Sequence, residues 1–272
     1  MCFKKILSWF TKPDPIPIPD PIPGYPRKIA LLFAINDYPG SANDLRGCLN
    51  DQTDLIKKLN KDFPGFIIHK FADSQAKRST FIDEVKNAIQ SLVPGDVLLI
   101  HYSGHGTQVY DKNGDEADGY DEAICLYDGN VIDDDIGDAL TGIPEGAIVV
   151  IMLDSCFSGT ATRAMNIKHP KKNRFMPNPD LPRREKKRIR FQKSEMKWIV
   201  FSGCGENQTS ADAYINGRYN GAFSYFAIKT LEPGISYSLW ITRINGYLPS
   251  SNYDQIPTLE GKESLFDLLV LT

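Results

Sequence analysis

The feature that most limits how this chain can fold is a series of largely apolar runs separated by segments of helical periodicity. Lys28–Ile35 reads KIALLFAI, Ile67–Phe71 reads IIHKF, Asp96–Tyr102 reads DVLLIHY and Ala147–Leu153 reads AIVVIML. A run that is apolar at successive positions, not merely alternate ones, is buried on both faces, as parallel strands are when helices cover both sides of their sheet. Helices are expected over Asn43–Leu59, Thr80–Leu92 and Ile132–Leu140, with Asn43 or Asp44 placed to cap the first. Strands alternating with helices require right-handed crossovers and a largely parallel sheet. Trp198–Ser202 and Ile256–Glu260 add strands, and Ala222–Leu231 and Leu239–Leu248 add helices. The expected fold is α/β, a mostly parallel central sheet of about six strands with helices on both faces.

Two stretches stand outside that pattern. Pro13–Pro26 (PDPIPIPDPIPGYP) has proline at nearly every second position, which removes backbone donors and favours an extended arm. From Arg163 to Lys197 there are thirteen Lys or Arg against three acids, broken by prolines. That composition reads as a solvated charge run, a patch for nucleic acid or acidic lipid, or an exposed loop open to cleavage. The chain therefore divides into an arm over residues 1–26, core over 27–162, an exposed basic loop over 163–197, and a return to the same domain over 198–272.

The net charge of −3 gives no global attraction to nucleic acid, and none is expected as a partner. No run approaches the roughly 18 apolar residues of a membrane span. The amino-terminal MCFKKILSWFTKP reads as a short surface helix or a membrane-surface attachment. Five cysteines, with no CxxC pair, suit a reducing, cytoplasmic setting.

In a parallel α/β sheet, chemistry collects outside the carboxyl ends of the strands. Two apolar strands end in reactive sequence: DVLLIHYSGHG delivers His105 between Gly104 and Gly106, and AIVVIMLDSCFSG delivers Cys156. If the two strands are neighbours, imidazole and thiol emerge on one rim. A thiol is only slightly ionised at neutral pH, and an imidazole both activates it and protonates a leaving amine. The N–H groups of Gly106 and Cys156 are candidates to hold a developing oxyanion. Side chains two apart on a strand face the same way, so Asp154 points with Cys156 and Ser103 with His105. A buried carboxylate calls for a cation, and a substrate Arg or Lys supplies one.

His101-Tyr102-Ser103-Gly104-His105-Gly106 and Asp154-Ser155-Cys156-Phe157-Ser158-Gly159, 51 residues apart at the His and Cys (156 minus 105), resemble the paired motifs of metacaspases. Gly203-Cys204 followed by Gln208-Thr209-Ser210-Ala211-Asp212-Ala213 is a third match. The resemblance runs from about Lys28 to the carboxyl terminus. It implies a caspase-like sandwich with large- and small-subunit-like parts, and a cysteine endopeptidase acting through His105 and Cys156. It further implies an acidic S1 pocket of Cys48, Asp51, Ser103 and Asp154, taking protein or peptide substrates with Arg or Lys and not Asp, and it moves self-processing to the front among readings of the basic loop. By the same resemblance a monomer is expected, and calcium is the implied cofactor, at Asp121, Asp133 and Asp134, although Arg163 stands where the family pattern places a further acid. A caspase-like regulatory or interaction module with vestigial activity is the competing reading.

Overall fold

The computed structural model describes residues 15–22, 24–111, 120–156, 171–178, 196–205 and 208–272. In chain order, β1 (Lys28–Ala34) leads to α1 (Cys48–Asp62), β2 (Phe66–Ala72), α2 (Arg78–Ser91) and β3 (Val97–Ser103). Next come β4 (Gly106–Tyr110), β5 (Tyr120–Leu126), β6 (Gly129–Ile132), α3 (Asp133–Ala139) and β7 (Ile148–Asp154). The remaining elements are β8 (Lys172–Asn173), β9 (Ile199–Ser202), β10 (Ala211–Ile215), β11 (Arg218–Gly221), α4 (Ala222–Thr230), α5 (Tyr237–Asn245) and β12 (Thr258–Gly261).

The central sheet has six strands in the order β12-β9-β7-β3-β1-β2. All neighbours are parallel except the edge pair β12–β9. The apolar runs explain this arrangement. On β1, Ile29, Leu31 and Phe33 enter one core with Phe81 and Val85 of α2 and Ile136 of α3. Ala30 and Leu32 enter the other, with Leu55 of α1, Phe223 of α4 and Trp240 of α5. Helices thus cover both faces, and a strand between them has no polar side to present.

Two departures from the sequence expectation bear on function. The first helix begins at Cys48, not Asn43, and its N-cap position is Gly47, with no side-chain cap. Residues 41–46 instead form a 3-10 turn, Ser41–Asn43, and a loop in which the Asp44 carboxylate accepts from Tyr38 N–H at 3.1 Å. The chain also contains two small antiparallel sheets that periodicity did not reveal, β4-β5-β6 and β11-β10-β8. Most of their strands are short, and several are buried at consecutive positions, so they lack the alternation that marks a half-exposed strand.

The described part of the arm lies along α2 and the amino ends of the strands. Ile16 N–H donates to Glu84 at 3.0 Å, and Arg27, which pairs with buried Asp96, donates to the Pro19 carbonyl at 2.7 Å. The expected helix near the amino terminus, most of the basic loop and the acidic stretch 112–119 lie outside the described residues.

Candidate active site

Strands β3 and β7 are paired in register, Ser103 opposite Asp154. His105 and Cys156 follow two residues beyond each, so both leave the sheet on the same rim. The His105 backbone is held on both sides: its N–H donates to the Tyr38 hydroxyl at 2.8 Å, and its carbonyl accepts from Tyr102 Oη at 2.7 Å. These hydroxyls leave no room for a side chain at Gly104, where a Cβ would collide with both. Nε2 of the imidazole lies 2.7 Å from the Asn43 carbonyl, an acceptor that sets the tautomer with the proton on Nε2. Burial lowers the His105 pKa to about 4, so the ring is neutral at physiological pH. Burial raises the Cys156 pKa well above the usual thiol range, and the Cys204 thiol beside it adds to that effect. Cys156 Sγ donates to the Ser210 carbonyl at 3.1 Å and also accepts from Ser210 N–H.

An acidic pocket opens beside this pair. Asp51, Asp154 and Asp212 are each at most 1% exposed. Each carboxylate comes from a different element and is held by donors from others. Asp51, on α1, accepts from Ser103 Oγ at 2.8 Å, Asn220 Nδ2 at 2.9 Å and Gly221 N–H at 3.0 Å. Asp154, ending β7, accepts from Ser210 Oγ and from Ser224 N–H at 2.9 Å. Asp212, on β10, accepts from the Arg46 and Gly47 N–H groups, each at 2.9 Å. Cys48 is buried beside them, close enough to Ser103, Asp51 and Asp212 for each to act on its thiol.

The pocket is filled by the chain itself. Arg174, fully buried, places its guanidinium 2.9 Å from Asp51, 3.1 Å from Asp154 and 3.2 Å from Asp212, and donates to Ser103 Oγ at 2.7 Å. Its neighbours are held like a docked peptide. Lys172 and Asn173 form β8 against Asp212 and Ala211 of β10, and Arg174 N–H donates to the Ser210 carbonyl at 3.1 Å. The Arg174 carbonyl accepts from Gly106 N–H at 2.9 Å and Cys156 N–H at 3.1 Å, and Met176 N–H returns to the Gly106 carbonyl at 2.9 Å. Even with the cation in place, burial pushes the Asp51 pKa up to about 7, Arg174 pulling it down and Asp154 pushing it up.

All four residues expected to line the pocket, and both N–H groups expected to face an oxyanion, are brought together. Sequence reasoning missed Asp212, although it sits in the third quoted motif, and the Asn43 carbonyl, which as a backbone group leaves no signature. It also missed Arg174 as the pocket's occupant, one basic residue among thirteen. The residues proposed for calcium fare differently. Asp121, on β5, and Asp133, the first residue of α3, are buried, and Asp134 beside it is exposed. Among the described residues, however, no group of three or more His, Cys, Asp or Glu side chains is arranged to hold a metal ion. Residues 112–119, which precede Asp121 in the chain, and 157–170, which include Arg163, lie outside the described residues. Among them, too, no helix is long and apolar enough to cross a membrane.

Comparison with known proteins places this geometry in a family. The family model described as the caspase domain matches residues 27–268. A protein named Metacaspase-1 from Meyerozyma guilliermondii is 32% identical over 288 residues, covering 86% of this chain and 69% of that one. Metacaspase-1 from Schizosaccharomyces pombe is 29% identical over 297 residues, covering 88% and 68%. Among solved structures, protein GSU0716 from Geobacter sulfurreducens superposes with a TM-score of 0.68 at 26% identity, covering 91% of this chain and 99% of that one. Caspase-1 from Spodoptera frugiperda, with a TM-score of 0.61 at 12% identity, covers 90% of this chain and 88% of its own and shares the fold.

Proposed function

Since this chain belongs to the caspase-domain family of cysteine peptidases and is metacaspase-like, we propose that it is an endopeptidase cleaving after Arg or Lys, and that its first substrate is its own Arg174–Phe175 bond. One observation carries the reading. A single residue, Arg174, pairs its guanidinium with three buried carboxylates while its carbonyl receives the two N–H groups that flank the thiol and imidazole. A buried charge is tolerated only with partners of opposite sign, so a pocket with three acids selects a cation and rejects Asp or Glu.

The chemistry follows from the positions. With both groups neutral in the closed cleft, Cys156 Sγ attacks the Arg174 carbonyl carbon as its proton passes to His105. The carbonyl oxygen, now negative, stays on the Gly106 and Cys156 N–H groups, whose donors are already aimed at it. Collapse breaks the C–N bond, and His105 returns the proton to the Phe175 nitrogen. The Arg174 thioester is then hydrolysed by water, with His105 as base, leaving Arg174 as a carboxylate and Cys156 as a thiol. The Asn43 carbonyl holds the imidazole in one orientation throughout.

The experiment is incubation of the full chain beside its Cys156→Ala variant, followed by intact-mass and amino-terminal analysis. A new amino terminus at Phe175 is expected in the first and not the second. Equal fragmentation of both, or cleavage only after acidic residues, would refute the proposal.

A further inference from the structure

The docked strand carries a second cation that the acidic pocket does not account for. Lys172 precedes Arg174 by two residues, so on an extended strand both side chains face the same way. Its Nζ donates to the Ala42 carbonyl at 2.7 Å and to the Asp44 carbonyl at 2.7 Å. These carbonyls lie on either side of Asn43, whose own carbonyl accepts from His105 Nε2. Asp44 and Asp212 both act on the ammonium with favourable charge, against Arg46.

We propose that the turn over residues 42–44 is a third-position subsite that selects lysine two residues before the cleaved arginine, and that filling it steadies the turn that orients His105. The proposal rests on the reading of Arg174 as the residue at the cleaved bond. Two backbone carbonyls converging on one point suit an ammonium, a compact charge with three donors, better than a planar guanidinium fork. An acidic side chain there would face two carbonyl oxygens and the field of Asp44 and Asp212. Asn43 is a positioning residue here, since it acts only through His105. The substrate class is therefore Lys-x-Arg peptides, a narrower set than all peptides with a basic residue.

Internally quenched peptides built on Lys-Asn-Arg-Phe-Met test this with the full chain. The lysine is varied to norleucine or Glu, and the arginine is separately varied to Gln. The chain's own strand competes with every peptide alike, so ratios between peptides stand. Hydrogen bonds to a charged group at a half-buried site predict a fall of about tenfold in kcat/KM for norleucine, with a larger one for Glu. Part of the norleucine loss should appear in kcat, because the turn bears on His105; a site that only tethers substrate would move KM alone. Equal kcat/KM for Lys, norleucine and Glu overturns the subsite while leaving the Arg reading intact. Undiminished cleavage of the Gln peptide overturns the Arg reading instead. Within the chain, Lys172→Met should slow the appearance of the Phe175 terminus about tenfold, and a wild-type rate would again count against the subsite.

Discussion

Replacing Arg174 with Met in the Cys156→Ala background removes the cation from the pocket while keeping a long apolar stem and an uncut chain. Two responses are open. If the cleft stays closed, three carboxylates that are at most 1% exposed lose their shared partner. Breaking a buried pair in that way costs about 3–5 kcal/mol. For a domain of this size such a loss lowers Tm by on the order of 10 °C. If the strand peels away instead, water reaches the carboxylates. The chain then gives up the hydrogen bonds around residues 172–176, worth about 1 kcal/mol each, and recovers about 1–2 kcal/mol of backbone freedom for each residue released. Release is the cheaper route. The expected result is a variant whose Tm stays within a few degrees of its parent, with amides in residues 171–178 and Gly106 exchanging fast. Hydrogen exchange read by mass spectrometry, beside calorimetry, decides it. A large drop in Tm with the strand still protected would refute the reasoning.

Gly221→Ala should block substrate arginine without unfolding the chain. The Gly221 backbone, at φ −68°, suits any residue, but a Cβ there overlaps the Arg174 guanidinium and the Asp154 carboxylate. Overpacking of about 1–3 kcal/mol predicts a fall of roughly 5- to 150-fold in kcat/KM for Arg peptides, and wild-type kinetics would reject the pocket as built. Asp51 gives a stability signature with pH. Its folded pKa, about 7, lies above the ordinary 3.8, so the folded chain binds that proton more tightly than the unfolded one. Its contribution is full below pH 3.8 and is lost as pH rises through 7. In the Cys156→Ala chain, Asp51→Asn should flatten the decline of Tm over that window, and calorimetry that finds the slope unchanged would remove Asp51 as its source.

How much of this was legible depended on where the information sits in the chain. The central sheet could be read because burial on both faces leaves continuous apolar runs such as those of β1 and β7. His105 and Cys156 could be read because each follows such a run directly, and Ser103 and Asp154 because strand alternation ties them to those two. Asp51 depended on the family motif, since a helix acid alone is most often a solvated one. The helix boundary was missed because Asn43 and Asp44 are good cap residues used for another purpose: the loop they form presents its backbone to His105 and Lys172. Backbone carbonyls carry no residue code, and no periodicity marks them. Arg174 was hidden for the opposite reason, since its chemistry was plain but repeated many times in the same loop. Only the three-dimensional meeting of β8 with β10 distinguishes it from its neighbours.

Strand β10 has a partner on each side only while β8 is docked, and that pairing spans just two residues. Once β8 leaves, a row of backbone donors and acceptors faces solvent, an edge that can pair with any extended chain. The berth that makes the molecule useful as a peptidase is thus also its most adhesive surface. A chain that arrives with the berth occupied by its own sequence is protected against sticking to its copies until the strand is released.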